Sequence, residues 1–335
     1  MRVLLTMLSP ANAVGGMEKH FVELANGLAE SGHQITCACA REHMAALHPT
    51  IKKCRVNSKA SRYSPVLYFE LVQVLNAQAF DIAHAQGSKA ADVFRWLSPL
   101  FPGTKFIATI HGFKSRYPKP RTFHRIIAVS KALAPDIGSK NVSVVYNRLR
   151  PPADPVSEVG LPEGLIHPVW LAVGRLVTAK GFDNLISTFQ HVNGSLIIAG
   201  SGPELPNLKT RIDEQGLSHR VKLIGHHNDI WSLMKSVDAV VISSRREGFS
   251  YVFAEALISG KPIISTNVPI ANEFLPQSCI IPENSTQEIF SGFLNRDLRE
   301  IHSEQGSARS RSRTELMLHA MIENTLSVYY DCLDS

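Results

Sequence analysis

Residues 239–257 read AVVISSRREGFSYVFAEAL, and this stretch decides the fold class of the chain. Residues 239–243 have the length and apolar character of one buried strand. Polar residues and Gly248 then form a turn, and residues 249–257 continue as a helix. A buried strand that leads through a turn into a helix is the repeating unit of a parallel α/β sheet.

The same alternation of short apolar strands and amphipathic helices runs along the chain. Residues 17–31 show one helix, with Phe21, Leu24 and Leu28 on a single stripe and Gly32 at its end. Strands that alternate with helices predict parallel sheets covered on both faces. The predicted strands are 2–8, 34–40, 82–85, 106–110, 125–129, 142–146, 170–173, 195–199, 221–224, 239–243 and 262–265.

A proline-rich segment divides the chain. Residues 148–155 read RLRPPADP, and prolines continue to Pro162, so neither a helix nor a central strand can pass through. A chain of 335 residues fits two domains of roughly 150 residues each. We therefore predict two Rossmann-like, doubly wound α/β domains, 1–150 and 151–313. A terminal helix, within 314–335, is expected to pack back on the first domain. Ligands should bind beyond the carboxyl ends of the strands, in a cleft between the halves.

Charge is distributed unevenly between the halves. The formal net charge is +6, but residues 1–150 carry 20 Lys and Arg against 8 Asp and Glu, whereas residues 151–335 carry 15 against 21. This asymmetry predicts that the first half meets an anionic partner: a membrane surface, a phosphorylated acceptor or nucleic acid. A solvated basic face without a partner is the alternative.

Signals for export or membrane insertion are weak. The apolar run at residues 1–8 is too short for a secretory segment, and no stretch reaches the roughly 18 apolar residues of a membrane span. The five cysteines form no CxxC pair. We therefore expect a cytoplasmic protein with reduced thiols.

The turn after residues 239–243 offers groups for an anionic ligand. Backbone amides of Phe249, Ser250 and Tyr251 lie at the start of the predicted helix, where the helix dipole attracts negative charge. Glu255, inside that helix, can accept two hydroxyl groups of a ribose. Glu247 stands at the lip, where a sugar attached to the bound phosphate would lie.

A second loop carries two cations. Residues 174–181 read GRLVTAKG and join the predicted strand 170–173 to the next helix. Arg175 and Lys180 in one such loop can clamp a diphosphate and offset charge on a leaving nucleotide. Pairing of both side chains with local carboxylates is the alternative.

Three further turns are candidates. Gly15 and Gly16 at the first strand-to-helix turn let the backbone approach a ligand closely. His111 ends a strand and can donate a hydrogen bond to a transferring sugar. Gly200 and Gly202 also follow a strand. Plain turns and a structural histidine remain open as alternatives.

Glu247 and Glu255, with Gly-Phe-Ser after the first glutamate, resemble the E-x7-E signature of the GT4 family of retaining glycosyltransferases. The loop with Arg175 and Lys180 is similar to the family's G-R-x4-K-G arrangement. The resemblance covers roughly residues 1–280 and implies the GT-B fold, two Rossmann-like domains facing a cleft.

The resemblance also implies roles for individual residues. Arg175, Lys180 and Gly16 would bind the donor diphosphate, with the amides of Phe249, Ser250 and Tyr251. Glu247 and His111 would act as catalytic residues that position the sugar, and Glu255 would bind the ribose. Ile224 would lie against the base, while Gly200 and Gly202 shape the loop near the nucleotide.

The implied reaction is retaining transfer of a sugar from a nucleotide-diphosphate donor, a UDP-sugar by the resemblance. No Asp-x-Asp pair occurs in the sequence, so cations and helix amides must hold the diphosphate. We therefore expect no metal and no cofactor besides the nucleotide-sugar co-substrate. Two departures from the family pattern stand out: Asn147-Arg148 where Asn-Gly is usual, and His84-Ala85-Gln86 where His-x-His is usual.

The acceptor is expected on the basic first half. We expect Lys114 and Arg116 to bind an anionic acceptor or an anionic bilayer. The resemblance implies a glycan or lipid-linked saccharide acceptor of surface polysaccharide or lipopolysaccharide synthesis, at the inner face of the cell membrane. The oligomeric state is open. Two clusters carry the charge: Lys52, Lys53, Arg55, Lys59 and Arg62 with Tyr63, and Lys114, Arg116, Lys119, Arg121 and Arg125.

Three rival functions differ in what they require. A sugar-nucleotide epimerase of the same architecture would turn over donor without an acceptor. A nicotinamide-dependent oxidoreductase needs G-x-G-x-x-G, and the first turn offers only Gly15-Gly16. A non-catalytic binder of nucleic acid or another anionic polymer would use the basic half, but the sequence contains no recognisable recognition module, so we expect no nucleic acid.

Overall fold

A computed structural model describes residues 1–9, 15–118, 122–138, 141–152 and 156–335. The chain forms two compact units. Unit 1 contains Met1–Arg148 together with Leu316–Ser335, and unit 2 contains Leu149–Glu315. The chain therefore leaves unit 1 once, builds unit 2, and returns to complete unit 1.

Unit 1 has a parallel seven-stranded sheet in the order β3-β2-β1-β4-β5-β6-β7. Its central strands are buried along almost their whole length, as expected for a sheet covered on both faces. The strands are β1 (Arg2–Met7), β2 (Gln34–Cys39), β3 (Lys52–Arg55), β4 (Ile82–Gln86), β5 (Lys105–Ile110), β6 (Arg125–Ala128) and β7 (Val142–Val144).

Unit 2 has a parallel six-stranded sheet in the order β10-β9-β8-β11-β12-β13. In both units the first strand lies inside the sheet and the fourth pairs with it, which is the doubly wound order. The predicted α/β class is confirmed. The strands are β8 (Val169–Val173), β9 (Ser195–Ala199), β10 (Val221–Gly225), β11 (Ala239–Ile242), β12 (Ile263–Thr266) and β13 (Ile280–Ile281).

Helices connect the strands. In chain order they are α1 (Gly16–Glu30), α2 (Pro65–Asn76), α3 (Gly87–Leu97), α4 (Leu133–Ile137), α5 (Phe182–Thr188), α6 (Leu205–Glu214), α7 (Ile230–Ser236), α8 (Tyr251–Ile258), α9 (Pro269–Phe274), α10 (Gln287–Leu294), α11 (Leu298–Glu304), α12 (Gly306–Glu315) and α13 (Leu318–Leu333).

Two strands were missed by sequence reasoning. β3 is an edge strand with the sequence KKCR, and its three cations are exposed. Charge on an edge strand discourages pairing with another chain, but it also removes the apolar alternation by which a strand is recognised. β13 is only two residues long, too short for any periodicity.

The carboxyl-terminal region contains two helices. α12 ends at Glu315, and α13, which lies within the segment 314–335 where a terminal helix was expected, begins at Leu318. The arginine- and serine-rich segment 307–313 lies inside α12. The break coincides with the passage of the chain from unit 2 to unit 1 between Glu315 and Leu316.

The core of unit 1 includes side chains from α1 and α13. Phe21, Leu24 and Leu28 of α1 are fully buried, and Met321 and Tyr329 of α13 belong to the same cluster. The two helices approach closely at Gly27, where a Cβ atom would lie 2.5 Å from Ile322 Cδ1. Each buried large aliphatic or aromatic side chain contributes about 1.5–3 kcal/mol, so α13 is part of the unit rather than an appendage.

The strand orders locate one switch point in each unit. In unit 2 the order reverses between β8 and β11, and in unit 1 between β1 and β4. Ligands of doubly wound sheets bind beyond the carboxyl ends of the strands at such a point. The loops after β8 and β11 are residues 174–181 and 243–250, the two segments with the strongest sequence signals.

Candidate functional site

The two loops at the switch point of unit 2 are joined by hydrogen bonds. The Ser243 hydroxyl donates to the Lys180 carbonyl at 2.9 Å, and the Arg245 amide donates to the Ala179 carbonyl at 2.9 Å. The Arg245 guanidinium donates to the Thr178 carbonyl at 2.7 Å. The loop after β8 is therefore held against the end of β11 by its own backbone.

Gly181 is required by this contact. Its φ is +66°, and a Cβ atom there would lie 2.2 Å from the Ser243 carbonyl oxygen. A side chain would thus be strained twice, by the left-handed backbone and by the collision. Sequence reasoning used the neighbouring Lys180 but gave Gly181 no role, although a glycine at the end of a strand-to-helix loop, directly after Lys180, was a signal that a close approach was needed.

Lys180 and Glu247 meet at the lip of the site. The Lys180 ammonium contacts Glu247 Oε1, which also accepts a 2.8 Å hydrogen bond from the Ser244 hydroxyl. The Lys180 and Glu247 side chains are 22% and 10% exposed, so the pair is shielded but reachable. The structure thus brings together two residues that sequence reasoning had assigned to different parts of the donor.

Arg175 lies in the same loop as Lys180 and is exposed. The backbone around it is tied to the loop after β9: the Leu176 amide donates to the Ser201 carbonyl at 2.9 Å, and the Glu204 amide to the Leu176 carbonyl at 3.0 Å. The loop is therefore fixed while the Arg175 side chain projects from it.

Gly200 and Gly202 let these loops come together. A Cβ atom on Gly200 would lie 1.9 Å from the Gly174 carbonyl oxygen, and one on Gly202 would lie 2.3 Å from the Leu176 carbonyl oxygen. Both glycines thus support the loop that carries Arg175. Ile224 lies in β10 where the register with β9 shifts, and such an irregularity redirects a side chain.

The helix after Glu247 starts as a capped α8. Ser250 is the N-cap residue, and its hydroxyl accepts a 3.4 Å hydrogen bond from the Phe253 amide. Phe249 and Ser250 are buried and precede the helix, and the Phe249 and Tyr251 rings pack edge to face at 5.5 Å. Glu255, inside α8, is only 6% exposed.

Sequence reasoning missed the Arg245–Asp183 pair. The two terminal nitrogens of the Arg245 guanidinium, Nη1 and Nη2, each donate to one oxygen of the Asp183 carboxylate at 2.8 Å. Burial alone would raise the pKa of Asp183, but the hydrogen bonds and the charge of Arg245, together with backbone hydrogen bonds, outweigh it and lower that pKa. Arg245 also lines a polar cavity of about 490 Å³ that reaches Asn267 and Glu283. Arg245 therefore supports the loop after β8.

In unit 1, His111 follows β5 and is held by two other side chains. Its Nε2 forms a 2.8 Å hydrogen bond with Gln86 Oε1 at the end of β4. The ring of His20, in α1, packs edge to face against it at 4.7 Å. Gly16 is the first residue of α1, so this helix brings both the glycine turn and His20 to the end of the sheet. Neither Gln86 nor His20 was assigned a role from the sequence.

The histidines of this cluster are neutral. Burial lowers the pKa of His20 to about 3, and burial together with His20 lowers the pKa of His84 to about 3. Burial, with His20 and His84, holds the pKa of His111 well below its ordinary value. His84 forms hydrogen bonds to Tyr329 at 2.6 Å and Thr109 at 2.7 Å. The His84-Ala85-Gln86 departure thus belongs to a buried polar network.

Lys114 and Arg116 are exposed and line a cavity of about 650 Å³ in unit 1. Arg62, Tyr63, Arg95 and Trp96 line it as well. The second basic cluster is not continuous, however. Arg125 starts β6, at the amino end of the sheet, whereas His111 and Lys114 follow the carboxyl end of β5. Lys119 and Arg121 lie outside the described residues.

Comparison with known proteins identifies the class. The family model described as Glycosyltransferase Family 4 matches residues 14–148, and the model described as Glycosyl transferases group 1 matches residues 164–289. The first covers most of unit 1, and the second covers the loops with Arg175, Lys180, Glu247 and Glu255. The chain therefore belongs to the GT4-type glycosyltransferase family, as the sequence motifs predicted.

Named relatives are lipopolysaccharide core biosynthesis glycosyltransferases of Rhizobium meliloti. LpsE is 26% identical over 274 residues, which are 75% of this chain and 76% of LpsE. LpsD is 31% identical over 160 residues, 45% of this chain, so the match spans about half of LpsD (47%). HepE of Anabaena, solved in complex with UDP and glucose, has a TM-score of 0.80 at 19% identity and covers 99% of this chain and 100% of HepE. The GT-B fold is confirmed by this likeness.

No group of three or more His, Cys, Asp or Glu side chains within the described ranges is arranged to hold a metal ion. Among the helices that the structure describes, none has the length and hydropathy needed to cross a bilayer.

Proposed function

We propose that this protein transfers a sugar from a nucleotide-diphosphate donor, a UDP-sugar, to a saccharide acceptor with retention of anomeric configuration. The observation that carries the proposal is the contact between Lys180 and Glu247 at the mouth of α8. It joins a diphosphate-binding cation to the first glutamate of the E-x7-E motif. HepE, with the same fold, was solved with UDP and glucose, which supports the choice of uridine.

The donor diphosphate is proposed to lie against Arg175, Lys180 and the backbone of Phe249, Ser250 and Tyr251. The first amides of a helix have no acceptor within it, so anions bind there with help from the dipole. Gly16 at the start of α1 offers a similar helix start in unit 1. Glu255 accepts the ribose hydroxyls, and Ile224 packs against the base beside the loop of Gly200 and Gly202.

Catalysis is proposed to rest on electrostatics without metal. When the glycosidic bond to the diphosphate breaks, negative charge grows on the leaving phosphate, and Lys180 and Arg175 stabilise it. The sugar becomes oxocarbenium-like, and Glu247 and His111 hold its hydroxyls in place. Ser244 keeps the Glu247 carboxylate fixed by its 2.8 Å hydrogen bond, so little reorganisation is needed during the reaction.

The acceptor is proposed to bind the unit 1 cavity lined by Lys114 and Arg116. Exposed Trp96 and Tyr63 offer flat faces for a sugar ring, and the cations offer partners for phosphate or carboxylate groups. LpsE and LpsD are named for lipopolysaccharide core biosynthesis, which supports an anionic, lipid-linked saccharide as the acceptor class.

A peripheral position at the inner face of the cell membrane is proposed for unit 1. Large apolar side chains are exposed on α2, on α3 and in the loops beside them, and two of these side chains, Tyr63 and Trp96, line the acceptor cavity together with its cations. Apolar side chains beside cations suit the interface of an anionic bilayer. The exposed side chains are Tyr63 (76%), Val66 (57%), Phe69 (62%), Trp96 (60%) and Leu100 (65%).

Thermal stabilisation by nucleotides tests the proposal. A ligand that binds only the folded state raises the melting temperature, so UDP, ADP, GDP and their sugar derivatives are compared in buffer with EDTA. We expect UDP and one UDP-sugar to stabilise the protein most. Transfer of radiolabelled sugar to a lipopolysaccharide core acceptor, also in EDTA, then tests the reaction.

The same assays separate the rivals. An epimerase would convert the donor in the absence of acceptor. A non-catalytic binder would be stabilised by polyanions such as heparin and not by any nucleotide. Loss of transfer in EDTA would overturn the metal-free part of the proposal, and a panel in which no nucleotide raises the melting temperature would overturn all of it.

A further inference from the structure

A chain of hydrogen-bonded side chains runs through the interior of unit 1 and ends at His111. It starts at the Tyr329 hydroxyl in α13, which lies 2.6 Å from His84 Nδ1. His84 Nε2 is 3.3 Å from Gln86 Nε2, and Gln86 Oε1 is 2.8 Å from His111 Nε2. The terminal helix is thus linked to the histidine at the end of β5.

Strand geometry explains why these side chains meet. His84 and Gln86 are two residues apart in β4, so they share one face of the sheet. Thr109 of the neighbouring β5 is the register partner of Gln86, and His111 follows that strand. Thr109 Oγ1 adds a 2.7 Å hydrogen bond to His84 Nε2. His84, Gln86, Thr109 and Tyr329 are at most 1% exposed, so water cannot readily replace any partner.

Each member of the chain has a fixed number of protons. A neutral imidazole carries one N–H and one lone pair, so the proton on one nitrogen decides the role of the other. Burial lowers the pKa of His84 to about 3 and keeps the pKa of His111 well below its usual range. Burial, with Cys332 and Cys37, raises the pKa of Tyr329 well above its ordinary value, so its hydroxyl stays protonated.

The amide of Gln86 sets the direction of the hydrogen bonds. Its carbonyl oxygen can only accept, so the His111 proton lies on Nε2. Its NH₂ group can only donate, so His84 Nε2 is unprotonated and accepts, and the His84 proton lies on Nδ1, facing the Tyr329 oxygen. Because the single proton of neutral His111 lies on Nε2, His111 Nδ1 is unprotonated as well. It has no hydrogen-bond partner among the residues that the structure describes.

We propose that Tyr329, His84 and Gln86 are positioning residues that hold the His111 proton on Nε2 and leave Nδ1 to accept a hydrogen bond from a hydroxyl of the donor sugar. The assignment of the sugar rests on the proposed function, whereas the proton arrangement does not. With Nδ1 as the acceptor, the direction of this hydrogen bond is the reverse of the sequence-based expectation that His111 donates to the sugar. A histidine that accepts from a hydroxyl rejects a sugar that offers no hydroxyl there.

Nitrogen NMR of the protein labelled with ¹⁵N-histidine tests the arrangement, because protonated and lone-pair ring nitrogens have well-separated shifts. The wild-type protein is compared with Tyr329→Phe, and Tyr330→Phe is the control, since Tyr330 is the next residue of α13 and is 48% exposed. Signals are assigned with His84→Asn and His111→Asn.

We expect the wild type and Tyr330→Phe to carry protons on His84 Nδ1 and His111 Nε2. In Tyr329→Phe the His84 N–H loses its acceptor, so its proton should move to Nε2, facing Thr109. The Gln86 amide then turns over and the His111 proton moves to Nδ1. A wild type with the His111 proton on Nδ1, or a Tyr329→Phe spectrum identical to the wild type, would overturn the proposal.

Gln86→Met provides a second test if Tyr329→Phe does not fold. This change interrupts the chain between the two histidines. His84 should keep its proton on Nδ1, because Tyr329 is still present, while His111 should lose its preference and show both forms. A His111 that remains on Nε2 alone would mean that Gln86 does not set it.

Donor affinity tests the consequence for binding. The quantity is the affinity for the best UDP-sugar of the stabilisation panel divided by the affinity for UDP. We expect this ratio to fall about fivefold in Tyr329→Phe, the effect of one hydrogen bond, with UDP affinity unchanged. An unchanged ratio would overturn the role of Nδ1. If no nucleotide sugar binds the wild type, the proposed function fails, while the NMR spectra still decide the proton arrangement.

Discussion

The Lys180 ammonium contacts the Glu247 carboxylate across 67 residues of chain. Both residues lie at the switch point of unit 2, Lys180 after β8 and Glu247 after β11. In the absence of ligand, each charge therefore has a partner. A diphosphate that binds here shares Lys180 with Glu247, so the two residues should affect binding in opposite directions.

Replacing Lys180 should weaken donor binding. A charge-assisted hydrogen bond contributes about 1.5–3 kcal/mol, so Lys180→Ala should lower UDP affinity by about 10- to 100-fold. Isothermal titration with UDP measures the change. Lys209→Ala, in α6 and exposed, removes a lysine of unit 2 elsewhere and should leave the affinity unaltered. Equal affinities of the two variants would count against Lys180 as a phosphate ligand.

Replacing Glu247 should separate binding from transfer. Glu247→Gln keeps the shape but removes the negative charge that competes for Lys180, so UDP should bind as well as before or more tightly. Sugar transfer should fall by about 100-fold, because a group that holds the sugar in the transition state is lost. Glu214→Gln, exposed in α6, is the control. A Glu247 variant with full transfer activity would exclude the catalytic assignment.

Substituting Gly181 should destabilise unit 2. Gly216 is the matched control, because its φ is also +66° but a Cβ atom there would meet nothing within 4 Å. Gly216→Ala therefore measures the left-handed conformation alone, about 1–2 kcal/mol. Gly181→Ala should lose a further 1–3 kcal/mol or so, since its Cβ would collide with the Ser243 carbonyl. Denaturant unfolding of both variants gives the difference in their free energies of unfolding. Equal losses of stability would mean that the loop moves enough to relieve the collision at Gly181.

Acid should destabilise unit 1 through its buried histidines. Unfolded histidine takes up a proton near pH 6.5, whereas folded His20 and His84 do so only at about pH 3. In this window the unfolded state binds more protons, so stability falls as pH falls, by up to about 1.4 kcal/mol per pH unit for each histidine. Melting temperatures from pH 7 to pH 5 measure this slope.

The matched variants for this slope are His20→Leu and His319→Asn. His20 is 2% exposed, whereas His319 is exposed in α13 of the same unit. His20→Leu should flatten the pH dependence and His319→Asn should keep it. His84 still contributes to the slope in His20→Leu, so only a slope as steep as that of the wild type would show that His20 already titrates normally in the folded protein.

Charge reversal should test the basic face of unit 1. Lys114→Glu with Arg116→Glu should reduce co-sedimentation with vesicles that contain anionic lipid, and the wild-type binding should weaken as salt is raised. Trp96→Ala should reduce it as well, whereas Ile289→Ala removes an exposed apolar side chain of unit 2, 48% exposed, and should not. Unchanged sedimentation of the double variant would count against membrane binding through this face.

The sequence was sufficient for the doubly wound sheets, because central parallel strands are buried on both faces and appear as apolar runs. It was insufficient to predict β3, because a lysine-rich sequence is more typical of a loop than of a strand. It was also insufficient to predict the break between α12 and α13. The edge strand and the helix break depend on which parts of the chain they pack against, and the periodicity of apolar residues in the sequence does not contain that information.

Within the candidate site, the spacing of Arg175, Lys180, Glu247 and Glu255 carried the prediction, since each follows a strand at the switch point. The side chains that these residues contact could not be predicted from the sequence. Lys180 beside Glu247, and Gln86 beside His111, are brought together by loops and strands that are distant in sequence, whereas Ser244 lies only three residues from Glu247 in the same loop. A single sequence gives the type of a residue and its place along a strand, but not the neighbour across the sheet.

The return of α13 to unit 1 has a consequence for biosynthesis. While the ribosome makes residues 149–315, the face of α1 that packs on Ile322 and Met321 has no cover. At 5–20 residues per second this interval lasts about 10–30 s. Nascent chains of this protein therefore carry an exposed apolar strip until α13 has been synthesised, and chaperones that shield such strips would be needed mainly during that interval.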